Sequence, residues 1–454
     1  MGSDIGGRLS QGSRRGGLSR RTLLKGAAAG ASAAALLGGR TIVPVRAQDA
    51  AKVTFWTTFT EPDLSVLKGM VETYNKQAQG HQVELTQIPP AQVTDVTKLM
   101  TAVRGGTGPD VYHLDRFIVA QYAAAGLLQE LNSLMGSTDV MANYIGFARD
   151  EATYNGKAYA LPFDTDARAL YYNVEMMKAA GADPAELDQK SDPITWDRLA
   201  ELGTKLNEKD ANGNYTKMGF IPWLNQGWHY TYGFSWGGSF YDQAACKVTP
   251  NDPKIVEAFK WVQDDCVAQG ADAVSAFGSP SMQPGFDNSQ HPFVLAKLGA
   301  QITGDWYLAQ MKQYAPDLEY GVTWMPVPKK GDPSVTWAGG WSVVIPQGAK
   351  NVPDAWTFMQ WMAGEPGQRL YTVGSSHLPT WSSLLDDASL FEGQHTFFAQ
   401  LLKSAKNRPP LPVGAKYWDE LTTAWQKVYL NQEAPDKALD EVAQRVQADL
   451  QKFC

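Results

Sequence analysis

The spacing of apolar residues changes period several times along the first third of the mature chain. "KVTFWTTFTEP" (52–62) alternates apolar and polar positions until Pro62 breaks it, which predicts a strand running into a loop. From Asp63 onward, Leu64, Leu67, Val71 and Tyr74 recur at helical spacing. "QVELTQIP" (82–89) returns to strand alternation. "VTDVTKLMTAVRGGTGPDVYHLD" then predicts a helix, a Gly/Pro turn and a third strand ending at His113-Leu114-Asp115. Strand, helix, strand in this order predicts a parallel α/β sheet. Ligands in such sheets sit beyond the carboxyl ends of strands, which makes Trp56, Glu61, Asp115 and Arg116 candidates for a binding site.

"GKAYALPFDTDARALYYN" (156–173) breaks the pattern differently. Tyr159, Leu161 and Phe163 lead in and Leu170, Tyr171 and Tyr172 lead out, with Asp164, Asp166 and Arg168 between them. Two-residue spacing in a strand puts the three charges on one face. They are either an exposed ion-pair ladder of little energetic weight or groups facing a ligand.

Farther on, "ITWDRLAELGTKLNEK" predicts a capped amphipathic helix. "IPWLNQGWHYTYGFSWGGSF" (221–240) crowds six of its aromatic residues into fourteen positions. Trp228 and Trp236 are its candidates for a cleft, with core packing the equal alternative. "LGAQITGDWYLAQM" predicts a strand that passes through Gly304-Asp305-Trp306 into a helix, so Asp305 and Trp306 are candidates. In "AGGWSVVIPQG", Gly339 and Gly340 permit close approach of backbone to a ligand beside Trp341. His377, two residues before Pro379, is a further cleft candidate.

Composition narrows the classes. With 454 residues, two lobes are expected. Apolar content of 44% with 19% charged residues is that of a soluble globular protein. The 15 Trp and 18 Tyr suit either a large core or a ligand with one apolar face and many hydrogen-bonding groups. "GGTGPD" lacks the Lys-Ser/Thr of a phosphate loop, and "DANGN" lacks the Gly and Glu of a calcium loop, so both read as turns. No cofactor or metal is expected.

Residues 1–47 read as an export leader. Eight basic residues and one acid precede or flank "GAAAGASAAALLGG", which is too short to cross a membrane. "SRRTLLK" (19–25) resembles the twin-arginine export motif, and Val45-Arg46-Ala47 offers cleavage before Gln48. No cysteine lies near that point, so no lipid anchor is expected, and the location is the periplasm or the outer face of the cytoplasmic membrane. Removing eight basic residues and one acid takes the formal net charge from −7 to −14. That charge argues against nucleic acid and anionic membrane surfaces as partners. In an oxidising compartment Cys246 and Cys266 either pair or remain two buried thiols; Cys454 ends the chain.

The order of the segments "VTFWTTFTEP", "GTGPDVYHLDRFIVAQYAAAGLLQEL", "NGKAYALPFDTDARALYYNVEMMKAAG", "ITWDRLAEL", "GDW" and "AGGWSVVIPQGAKNVPDAWTFMQWM" resembles the extracellular sugar-binding proteins of ABC importers, the group that includes maltose-binding proteins. The likeness runs from about residue 52 to 380. It implies an α/β, two-lobed, type II periplasmic-binding-protein fold with a helical C-terminus. The implied lobes are 48–162 with 306–340, and 163–305 with 341–454, the C-terminal helices packing on either lobe. Hinge crossings are implied near 161–166, 304–306 and 338–341. A monomer is implied that takes a carbohydrate ligand between its lobes and delivers it to permease subunits. Two other classes stand beside this reading: a glycosidase using Asp164 with a second carboxylate, and a receptor for a polyamine or another non-sugar solute. Tyr171 and Tyr172 point to opposite strand faces and cannot both ligate a metal.

Overall fold

The computed structural model describes residues 51–89, 97–283 and 285–454; the leader expected over 1–47 lies outside the described residues. Two five-stranded sheets organise the described chain. In the first, strands His81–Gln87, Ala51–Thr57 and Val111–Asp115 run parallel, as the alternating periods predict. The intervening helix Asp63–Gln77 buries Leu64, Leu67, Met70, Val71 and Tyr74. Each large apolar side chain buried this way contributes roughly 1.5–3 kcal/mol, so this stripe anchors the helix to its sheet. Trp341–Val344 and Leu161–Pro162 complete the sheet in antiparallel sense.

The second sheet orders Tyr320–Thr323, Arg168–Asn173, Leu298–Gly304, Tyr215–Phe220 and Glu208–Lys209. Its central strand Leu298–Gly304 is buried along its whole length, as a strand covered on both faces must be. The helix Trp196–Leu206 packs on this sheet, its first turn capped by Thr195, whose hydroxyl accepts the Arg198 N–H at 3.1 Å. Asp210 accepts the N–H groups of Asn212 and Asn214, closing the hairpin turn that "DANGN" predicts.

Strand order reverses part of the expected division into lobes. Tyr320–Thr323 pairs with Arg168–Asn173 in the second sheet, so 306–340 does not belong with 48–162. Gly304–Trp306 is accordingly not a crossing: the chain turns into the helix Tyr307–Tyr314 and returns to the same sheet. Trp341–Val344 joins the first sheet, because "WSVVIP" is apolar enough to be buried on both faces; Val343, Val344 and Ile345 have no exposure. Helices Val352–Met362 and Glu365–Ser375 follow it there, with Phe358 against Phe55 and Tyr74. The helical C-terminus lies mainly on the second side, where Phe398 packs against Tyr171 and Trp425 against Phe259.

The opening charged segment is not one strand. Leu161–Pro162 ends in the first sheet, Asp164–Thr165 pairs with Leu378–Pro379, and Arg168–Asn173 begins the second sheet. Its charges therefore do not share a strand face. The disulfide also differs from expectation. Cys246 pairs with Cys454, and Cys266 is free and buried. Cys266 is on the inner face of the helix Pro253–Gln269, where burial pushes its thiol well above the ordinary value and leaves it unreactive. The final helix Pro435–Leu450 brings Cys454 back to the short hairpin in which Tyr241–Asp242 pairs with Lys247–Val248, tied by Gln447 to the backbone of Cys246 and Val248.

Candidate functional site

Where strand ends of the two sheets face each other, a cavity of 310 Å³ opens, within the size range of small-molecule sites. Register puts it there: Trp341 stands opposite Asp115 at the strand ends of the first sheet, and Arg168 opposite Gly304 at the strand ends of the second. Its walls carry the indoles of Trp228, Trp306, Trp337, Trp341 and Trp418, together with Phe59. Asp63, Asp115, Asp166, Arg168, His377 and Arg408 supply the charge, and Gln226, Gln310 and Gly340 the remaining polar lining. A larger crevice of 650 Å³ lies beside Tyr154, Phe240 and the prolines 409, 410 and 412, but it holds no indole and a single charged residue, Asp150.

The cavity charges come as tied pairs. Asp166 accepts the Gly339 N–H at 2.6 Å and binds the Arg168 guanidinium. Arg168 donates to Gln226 at 3.2 Å and lies over the Trp337 ring at 3.5 Å and the Trp306 ring at 5.3 Å. Asp115 accepts from Arg408 at 2.7 Å and from the Phe117 N–H at 3.3 Å. Arg408 covers the Phe117 ring at 3.9 Å and reaches Trp337 and Trp418 at 5.3 and 5.4 Å. Each guanidinium is thus held flat by carboxylate on one side and aromatic faces on the other, with the cavity in front.

Arg116 is placed differently from expectation. It is fully buried behind the cavity, with Nε on Glu151 at 2.9 Å and its two terminal nitrogens on the carbonyls of Asp164 and Gly339. Its fork ties three chain segments together and has no donor left for a ligand. Burial raises the Glu151 carboxyl above its ordinary value, against the pull of Arg116 and Arg408. Gly340 adopts φ 120 beside this knot, where a Cβ would meet Arg116 Nη1 and the Asp164 carbonyl.

Asp164 does not line the cavity either; it lies behind His377, which does. Its Oδ1 accepts the Trp341 N–H at 2.6 Å, and burial raises its carboxyl to about 6. Asp305 is fully buried and accepts the Leu378 N–H at 3.0 Å; burial raises it well above the ordinary value. Three other candidates lie elsewhere. Glu61 is exposed, capping Ser65 N–H at 3.1 Å. Trp56 is half-buried within the first sheet, outside the cavity lining. Trp236 stacks with Trp196 and Trp261 on the second side. The structure thus brings Asp115, Asp166, Arg168, Trp228, Trp306, Gly340 and Trp341 together, with Gly339 forming the backbone beneath them.

Phe59, Asp63, Gln226, Gln310, Trp337, Arg408 and Trp418 join the site without having been legible as site residues. Trp337 carried the best signal, since "TWAGGW" places it four residues from Trp341. Arg408 and Trp418 come from the C-terminal region, where neither strand ends nor motifs marked them.

The family model of bacterial extracellular solute-binding proteins matches residues 59–369. The maltotriose-binding protein of Pyrococcus abyssi is 21% identical over 407 residues, covering 88% of this chain and 82% of its own. Among solved structures, CpMnBP1 with mannobiose bound superposes with a TM-score of 0.76 at 23% identity, covering 88% of this chain and 100% of its own. Maltose-bound MalE3 of T. maritima gives a TM-score of 0.71 at 22% identity, over 88% and 100%. The family match spans more than half of the sequence, and the chain belongs to the bacterial extracellular solute-binding proteins.

Proposed function

We propose that this family member is the sugar receptor of an ABC importer, which captures an oligosaccharide in the 310 Å³ cavity and hands it to permease subunits. The observation that carries the reading is the pairing of five indoles with two carboxylate–guanidinium pairs around one cavity. A sugar ring has C–H faces that bury well on indoles, and hydroxyls that must be hydrogen-bonded when buried. Carboxylates accept those hydroxyl protons and guanidinium groups donate in return, each bond to a charged group contributing roughly 1.5–3 kcal/mol. The relatives described as binding maltotriose, mannobiose and maltose support the same class.

The proposed lobes are the first sheet with helices Val352–Met362 and Glu365–Ser375, and the second sheet with the C-terminal helices. They close on ligand about the segments 162–168 and 338–341. No catalysis is proposed: Asp115 and Asp166 are each held in an ion pair with an arginine. Export through the twin-arginine route, resting on Ser19–Lys25, and a monomeric state complete the proposal.

Calorimetry and thermal shift over mono- and oligosaccharides, with polyamines as a control, test it. A sugar at 100 times its dissociation constant should stabilise the protein by roughly 2.7 kcal/mol. Binding of polyamines and of no sugar would replace the reading, and cleavage of a labelled oligosaccharide by pure protein would make the chain an enzyme.

A further inference from the structure

His377 leaves the helix Glu365–Ser375 through Ser376, at φ 63, and its ring enters the cavity wall between two aromatic planes. Tyr371 lies 5.4 Å away at an interplanar angle of 17°, and Trp306 5.6 Å away at 18°. The three rings form one stack whose outer member, Trp306, lines the cavity. Carboxylates from three separate elements surround the edge of the imidazole. Nδ1 is 3.7 Å from Asp164 Oδ2 and Nε2 is 3.9 Å from Asp63 Oδ2, while Asp305 stands behind the Leu378 N–H. His377 Nδ1, Asp164 Oδ2, Asp63 Oδ1 and Asp305 Oδ1 are all buried with no hydrogen-bond partner among the described residues. A neutral imidazole offers this set one donor; an imidazolium offers two and cancels part of its charge.

We propose that His377 is a positioning residue of the cleft: as an imidazolium it joins Asp63 to Asp164 and holds the Trp306 indole flat for the ligand. The role of Trp306 in this rests on the sugar reading above. Burial opposes the imidazole charge, but Asp164, Asp63 and Asp305 outweigh it and hold the ring up to about 10. The other titratable groups facing it do not compete. Burial pushes the Tyr371 hydroxyl well above its ordinary value, His113 down to about 3 and His395 down to about 4, so all three are neutral beside it. Asp63 opens the helix Asp63–Gln77 on the first sheet, and Asp305 follows the strand Leu298–Gly304 of the second. The present separations of 3.7 and 3.9 Å are longer than hydrogen bonds.

The protein has six histidines, and long-range proton–nitrogen spectra of histidine-labelled protein distinguish imidazole from imidazolium. At pH 8 the empty protein should show an imidazolium signal that His377→Gln removes; a neutral His377 at that pH overturns the proposal. Asp63→Asn, at a partly exposed helix start, should lower the His377 titration midpoint by at least one pH unit, and serves if the glutamine variant fails to fold. An unchanged midpoint overturns the bridge to Asp63. The Trp306 indole N–H resonance, assigned with Trp306→Phe, should shift along the same titration; an indole indifferent to it overturns the positioning role. With mannobiose or maltotriose as probe, His377→Gln should weaken binding at least tenfold and abolish the decline of affinity as pH rises through about 10. Unchanged affinity would also overturn the role. If neither sugar binds the wild-type protein, the sugar reading fails while the spectra still decide the charge and the stack.

Discussion

Arg116 and Arg168 both hold the connecting segment 162–168, Arg116 from the end of the first sheet and Arg168 as the segment's last residue, and they differ in what their side chains can still do. Arg116 is saturated: Glu151 takes Nε, and the carbonyls of Asp164 and Gly339 take the terminal nitrogens. Arg168 is anchored from behind by Asp166 and Gln226, with the faces of Trp337 and Trp306 beside it and the cavity before it. Both are buried, so exposure alone does not separate them. The difference lies in the balance: Arg116 meets the carbonyls of Asp164, Gly339 and Trp341 in a closed interior, whereas Arg168 meets a single carbonyl, that of Trp337, and otherwise side chains beside open space. A charge enclosed by backbone carbonyls holds segments together, whereas one set among indoles and carboxylates beside a cavity is free to recognise a ligand.

Removing Arg116 should have the largest effect. Arg116→Met leaves Glu151 buried without its partner and two carbonyls unpaired, which should cost about 3–5 kcal/mol of stability by chemical denaturation. A loss below about 1 kcal/mol would erase the distinction between the two arginines. On the cavity side, Trp306→Ala should weaken sugar binding by roughly 1–3 kcal/mol by calorimetry while moving the unfolding midpoint much less. Arg168→Lys keeps the charge but loses the planar fork and the stacking on Trp337; an affinity loss of about tenfold is expected, with stability nearly retained.

A pH series sharpens the same contrast. His377 has its folded-state value raised from 6.5 to about 10. Its contribution to stability is therefore complete below the unfolded value and is lost as pH rises through about 10. The stability gap between wild type and His377→Gln should be widest below pH 6.5 and close towards pH 10; a gap that widens with pH contradicts the assignment. The smallest expected effect is at Trp236. Its indole packs on Trp196 and Trp261 rather than on the cavity, so Trp236→Phe should leave sugar affinity unchanged, and a loss of binding there would extend the site beyond the cavity between the sheets.

Several features of the site were legible because short-range pattern decides them. Strand alternation over 52–57 and 111–115 located the carboxyl end at Asp115, whereas the crossing of 156–173 between two sheets was implied only by the family resemblance. Trp306 and Trp341 were legible from turns next to strand ends. Trp236 and Trp56 were not distinguishable from cleft residues, because an indole has the same pattern whether it faces a core or a cavity.

The sequence by itself determined the strand–helix alternation that builds the first sheet, the strand end at Asp115, and the charged interruption of the apolar segment 156–173. Tertiary structure alone decided that Arg116 turns inward while Arg168 faces the cavity, and that Arg408 and Trp418 arrive from the C-terminal region. It also decided that Cys246 meets Cys454 rather than Cys266. The physical reason is common to all of these. Period and turn chemistry act over a few residues, whereas a guanidinium's partners, or a thiol's, are set by the register of strands and helices far apart in the chain.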